Sequence, residues 1–92
     1  MIIEMQKRSL ENLDYDFDFS GIFPTGDNIA SVAVSSTPTG LTLGTQVNSG
    51  QIAKQYISSG SDGVLYKIVC KATSTAGRIA EQVLRLTIND EK

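Results

Sequence analysis

Between Leu13 and Phe19 the chain alternates without a break: Tyr15, Phe17 and Phe19 occupy every second position, and Asp14, Asp16 and Asp18 fill those between. A period of two puts neighbouring side chains on opposite faces of an extended strand, whereas a helix would scatter the same aromatics and carboxylates around its axis. The segment reads as a strand with one face buried and the other charged. The same period recurs in Ala30, Val32 and Val34 against Ser31, Ala33 and Ser35. Leu41 and Leu43 open a further strand. Val64, Tyr66, Ile68, Cys70 and Ala72 make one face of a long strand, and Ala80, Leu84, Leu86 and Ile88 one face of the last. Residues 51–57 give a weaker strand with Ile52 and Tyr56 on one side.

Turn clusters separate these runs, at Phe23-Pro24-Thr25-Gly26-Asp27, Thr37-Pro38-Thr39-Gly40, Asn48-Ser49-Gly50, Ser58 to Gly63 and Ser74-Thr75-Ala76-Gly77. The repeated Pro-Thr-Gly reads as two corners, each a type I turn with Pro second and Gly fourth. Short strands divided by turns at this spacing predict an all-β fold, an immunoglobulin-like antiparallel β-sandwich of six or seven strands, with a small open barrel as the alternative. Its expected core includes Tyr15, Phe17, Val32, Val34, Leu41, Tyr66, Ile68, Cys70, Leu84 and Leu86. Residues 1–12 read as an N-terminal arm, extended or a short helix, of which residues 1–9 carry no pattern that fits the sandwich and are expected to be mobile in the free protein and ordered against a neighbour. Residues 13–92 are the expected sandwich domain.

Composition narrows the chemistry. Ninety-two residues, 40% of them hydrophobic, make one domain with one core and no room for an enclosed active site. A net charge of -2 with scattered Lys67, Lys71, Arg78 and Arg85 does not suit phosphate backbones, so nucleic acid is not an expected partner. There is no His, which excludes Ser-His-Asp and Cys-His catalysis and a Cys/His zinc site, and the single Cys70 sits in an apolar run where thiols behave as small hydrophobes. A lone cysteine also suits a reducing compartment. The opening Met1, Ile2, Ile3, Glu4 meets charge before a signal-peptide core develops, and no apolar stretch approaches a membrane span.

Asp14, Asp16 and Asp18 match the opening of a calcium loop by spacing alone. Phe19 and Thr25 stand where such a loop needs Gly and Glu, so the aspartates read as the solvated face of an edge strand, where charge blocks strand addition. No catalytic, cofactor or metal site is expected, and a carbohydrate site would want more exposed aromatics than alternation leaves.

The last two long strands carry apolar residues on both faces, which a solvated sheet does not need and a partner would explain. The outward set is Leu65, Val69, Ile79 and Val83. A hairpin turning around Thr75 would set Lys71 opposite Glu81, Val69 opposite Val83 and Thr73 opposite Ile79. It would also set Lys67 against Arg85, a like-charge pair, and leave Gln82 on the inner face. Coverage of the patch by the N-terminal arm is the competing expectation.

Tyr66 and Cys70 stand four apart with no Trp and no second Cys, so any likeness to antibody domains is architectural. Several segments, in order, resemble a family of small tailed-phage virion proteins, the fibre-to-tail adaptors and head-tail structural proteins. Leu13-Asp14-Tyr15-Asp16-Phe17-Asp18 is similar to that family's opening, with Phe19 where Trp is usual. Thr25-Gly26-Asp27-Asn28-Ile29-Ala30-Ser31, Thr39-Gly40-Leu41-Thr42, Tyr66-Lys67-Ile68-Val69-Cys70 and Thr73-Ser74-Thr75-Ala76-Gly77-Arg78 resemble its later elements. The family's Gly-Gly-x-x-Gly appears here only as Ser59-Gly60-Ser61-Asp62-Gly63. The resemblance, over roughly residues 10 to 88, implies a non-enzymatic virion protein, an oligomeric adaptor at the portal, tail or fibre attachment point. Its partners would be other virion proteins and further copies in a symmetric assembly, first in the host cytoplasm and then in the virion. A capsid decoration protein and a calcium- or carbohydrate-binding module are the alternatives.

Overall fold

Alternation becomes layering once the strands pair. The structure is a computed structural model that describes residues 2–90, Ile2 and Ile3 by their backbone alone; Met1 of the expected arm and residues 91–92 of the expected domain lie outside the described residues. Its strands are β1 (Ile2–Lys7), β2 (Leu13–Asp18), β3 (Ile29–Thr37), β4 (Leu41–Ser49), β5 (Ile52–Ser59), β6 (Leu65–Ser74) and β7 (Ile79–Ile88). They form a four-stranded sheet in the order β1-β7-β6-β3 and a three-stranded sheet in the order β2-β5-β4. The architecture is an all-β sandwich, and no helix occurs among the described residues.

The inner faces supply the core. Tyr15 and Phe17 of β2, Tyr66, Ile68 and Cys70 of β6, and Leu84 and Leu86 of β7 are buried as expected, while Val32, Val34 and Leu41 pack against them partly covered. Ala53, Ile57, Ala72 and Ile88 complete it. Beyond the end of β2, the rings of Phe19 and Phe23 stack with centroids 5.6 Å apart, and both are buried. Burial pushes the Cys70 thiol up to about 12, so it is a packed apolar group with negligible thiolate. The Tyr66 hydroxyl accepts a hydrogen bond from Ser61 N at 2.9 Å. Gly40 closes over that hydroxyl: at φ 137° it adopts a backbone that favours glycine, and a Cβ there would stand 2.8 Å from the Tyr66 oxygen.

Several elements differ from the sequence reading. Ile2–Lys7, read as part of a mobile arm, is a strand paired in parallel with β7, Ile2 beside Val83 and Lys7 beside Ile88. Its apolar and polar residues do not alternate, but an edge strand needs only one neighbour's backbone and one covered end. That parallel pair also makes the four-stranded sheet mixed, although all other pairings are antiparallel. The weak strand β5 is the centre of its sheet: Ala53, Gln55 and Ile57 face inward, and Ile52 and Tyr56 lie on the outer face. The β4 pattern fades after Leu43 because the register to β5 shifts between Leu43 and Gln46, and buried Gln55 donates to the Gly44 carbonyl at 3.0 Å there. At the first Pro-Thr-Gly corner, Asp27 N donates to Pro24 O at 3.0 Å, with Gly26 at φ 89°. Pro24 is therefore first and Gly26 third, the type II arrangement.

Candidate interaction surface

The β6–β7 hairpin has the expected register: Val69 pairs with Val83, Lys71 with Glu81, Thr73 with Ile79 and Lys67 with Arg85. Side chains of paired residues share a face, so the outer side of the four-stranded sheet is a series of rungs. Leu65 and Thr87 make the first, Lys67 and Arg85 the second, Val69 and Val83 the third, Lys71 and Glu81 the fourth, and Thr73 and Ile79 the fifth. The four residues Leu65, Val69, Ile79 and Val83 thus lie on one face without forming one continuous patch. Val69 and Val83 pair within one rung at the centre, half-buried, while Leu65 at 53% and Ile79 at 62% exposure stand at opposite ends. Charged rungs separate them.

The flanking strands extend these rungs sideways. On β1, Glu4 lies beside Arg85 and Gln6 beside Thr87; on β3, Ser35 lies beside Val69 and Ala33 beside Lys71. Glu4 stands on the far side of Arg85 from Lys67, so the like-charge Lys67–Arg85 pair has no carboxylate between its members. Because β1 joins the edge of the sheet, it continues this face and does not cross it. A shallow hollow of about 180 Å³ opens instead on the inner side of β1, lined by Met5, Asp14, Tyr15, Asp16, Phe17 and Leu84. The Tyr15 hydroxyl is buried without a hydrogen-bond partner among the described residues.

Asp14, Asp16 and Asp18 occupy β2, an edge strand of the three-stranded sheet, with their carboxylates outward and Tyr15 and Phe17 inward. Alternate residues of a strand are about 7 Å apart. Asp14 pairs with Lys54 at 3.5 Å, and the Asp18 carboxylate accepts Ser20 N at 2.8 Å. No group of three or more potential metal ligands converges among the described residues. Beside this row, Val47, Ile52 and Tyr56 form an apolar floor with Asp16, Ser49 and Lys54 around it, enclosing a shallow volume of about 370 Å³.

Two polar features were invisible to alternation. Asp27 is buried, and its carboxylate accepts hydrogen bonds from Thr75 Oγ1 and Ala76 N, each at 3.0 Å, and from Arg78 Nη1 at 2.8 Å. Burial alone would raise its pKa, but the bonds from Ser74, Arg78, Ala76 and Thr75 outweigh it and hold the carboxyl at about 2. The Gly26-Asp27-Asn28 and Thr73-to-Arg78 segments, far apart in sequence, are thus one structural unit in which a buried carboxylate fixes the tip of the β6–β7 hairpin. Lys7 is the second feature: its side chain is 1% exposed on the inner side of β1. Its ammonium donates to the carbonyls of Arg8 at 2.6 Å, Ser59 at 2.7 Å and Glu11 at 3.0 Å, with a longer contact to Ser9 O at 3.4 Å. Gln82, the polar residue misplaced on the inner face, donates to Asp18 O at 2.5 Å and so ties β7 to the end of β2 across the two sheets.

The fold and these surfaces define a small β-sandwich domain whose exposed features are sheet faces and tied turns. A family model described as podophage GP4 fiber-tail adaptor protein gp77 matches residues 7–87, and the chain belongs to that family. The match starts at Lys7, so it takes in both tied elements. No curated protein matches the chain.

Proposed function

We propose that this chain is a non-enzymatic, oligomeric virion adaptor that links phage tail and fibre components through protein contacts on the outer face of its four-stranded sheet. The observation that carries the reading is the Val69–Val83 rung, with exposed Leu65 and Ile79 two rungs away on either side, on a face that no element among the described residues crosses. Family membership supplies the setting, a tail component of the virion. The strand order supports an immunoglobulin-like arrangement: β2-β5-β4 against β7-β6-β3 corresponds to strands B, E, D against G, F, C of that sandwich. Partners are tail, portal or fibre proteins and further copies of the chain.

Val83→Asp tests the surface. The half-buried valine lies on the outer face, so the variant should fold and melt like the parent yet fail to enter assembled particles. A fall of several kcal/mol in the stability of the isolated chain would mean that the rung belongs to the chain's own packing, and would sink the interface.

A further inference from the structure

We infer that the outer face of the four-stranded sheet docks onto the outer face of the three-stranded sheet of a second copy, so that copies join head to tail. The inference rests on the reading that Val69 and Val83 form an interface, and names what covers them.

The two outer faces are complementary in charge and alike in having apolar centres. One carries Lys67, Lys71 and Arg85 against Glu4 and Glu81, with Lys67 set between Arg85 and Thr37 in the register. The other carries Asp14, Asp16 and Asp18 against Lys54. The Asp18 carboxylate is held below the usual range by its bonds from Ser20, so it stays ionised. The Val69–Val83 rung has an apolar counterpart in Val47, Ile52 and Tyr56, of which Val47 is 49% and Ile52 38% exposed. Docking the first face on the second sets the Lys67–Arg85 rung toward the aspartate row and the valine rung toward the apolar floor.

The faces lie on opposite sides of one sandwich and point apart, so one copy cannot satisfy its own pair. Two copies that meet this way leave one face of each kind unused. A contact between unlike faces therefore propagates, closing into a ring if the rotation between copies allows. Like-with-like pairing on a two-fold along the strands would place Lys67 against Arg85, and pairing of the second face with itself would place its aspartates together, both of which cost rather than gain.

This geometry gives a test that no symmetric dimer passes. Val83→Asp blinds one face and Val47→Lys, at a half-exposed position, blinds the other. Sedimentation of the intact chain should show concentration-dependent association that weakens with salt. Each variant alone should stay monomeric, and an equimolar mixture should form a dimer and stop there, since one sighted face of each kind remains. A mixture that stays monomeric, a Val83→Asp variant that still self-associates, or a parent chain monomeric up to its solubility limit would each overturn the inference. If Val83→Asp nevertheless blocks entry into particles, the adaptor surface stands and only the head-to-tail partner is lost. Circular dichroism of both variants, expected to match the parent, excludes misfolding as the cause.

Discussion

Replacing Lys7 by Met isolates what a buried ammonium does at the end of β1. The two side chains are similar in length and their stems similarly apolar, so packing beside Ile88 is retained while three donors vanish. Hydrogen bonds from a charged donor contribute about 1.5 to 3 kcal/mol each, and a buried carbonyl left without a donor costs about 1 to 3. Two terms reduce that total: the variant no longer removes a charge from water, and Arg8, Glu11 and Ser59 are exposed residues whose carbonyls can turn toward solvent. A net loss of about 2 to 3 kcal/mol follows, which for a domain of this size lowers Tm by roughly 8 to 20 °C. Thermal unfolding followed by circular dichroism measures it, and tryptic cleavage after Arg8 should quicken because the 8–12 loop loses its tether. A second signature comes from pH. Burial lowers the Lys7 pKa below 10.5, with Glu11 and Asp90 opposing. Between the lowered folded value and 10.5 the unfolded chain binds more protons than the folded one, so this group makes stability rise with pH across that window. Lys7→Met should lose the rise. A Tm within about 3 °C of the parent, with unchanged cleavage, would refute the tether.

Asp27→Asn should lower Tm at neutral pH. The Asp27 carboxyl is held at about 2 against an ordinary 3.8, so its contribution is complete above the ordinary value and disappears as pH falls from there through 2. Parent and variant melting curves should therefore converge toward pH 2, and curves that stay parallel would show that Asp27 does not act through its charge. Excess EDTA or added calcium should leave Tm unchanged, since ligand binding to the folded state must raise it; a calcium-dependent rise abolished by Asp16→Asn would make the β2 aspartates a metal site.

What the sequence disclosed was whatever alternation encodes. The strands β2, β3, β6 and β7 were legible because one face of each packs toward the core and is less exposed than the other, and the β6–β7 register followed from pairing Lys71 with Glu81. Strand β5 was nearly hidden because its inner face is Ala53, Gln55 and Ile57, a small residue and an amide among one large aliphatic, while Ile52 and Tyr56 decorate the outside. A buried glutamine reads as solvent-facing until the bulge whose carbonyls it satisfies is known. Asp27 and Lys7 were missed for the same reason: charged residues give no periodic signal, and the contacts that bury them reach 47 to 52 positions along the chain, to Ser74, Thr75 and Arg78 for Asp27 and to Ser59 for Lys7. The candidate surface was visible as four apolar residues on one face, but the charged rungs dividing them emerge only when the strands are laid side by side.

That division has a consequence for recognition. Rungs on one face of a sheet recur about every 7 Å, and on the β6–β7 hairpin the rungs led by Leu65, by Val69 with Val83, and by Ile79 alternate with the charged rungs Lys67–Arg85 and Lys71–Glu81. The face works like a grating. A partner displaced by one step along the strands meets charge where it offers hydrocarbon and hydrocarbon where it offers charge, and every rung contributes to the mismatch at once. A uniformly greasy face would hold a partner at many offsets with similar strength. A partner built to match this face would lose both kinds of contact on slipping by a single rung, so that the smallest error in docking would be the one most heavily penalised.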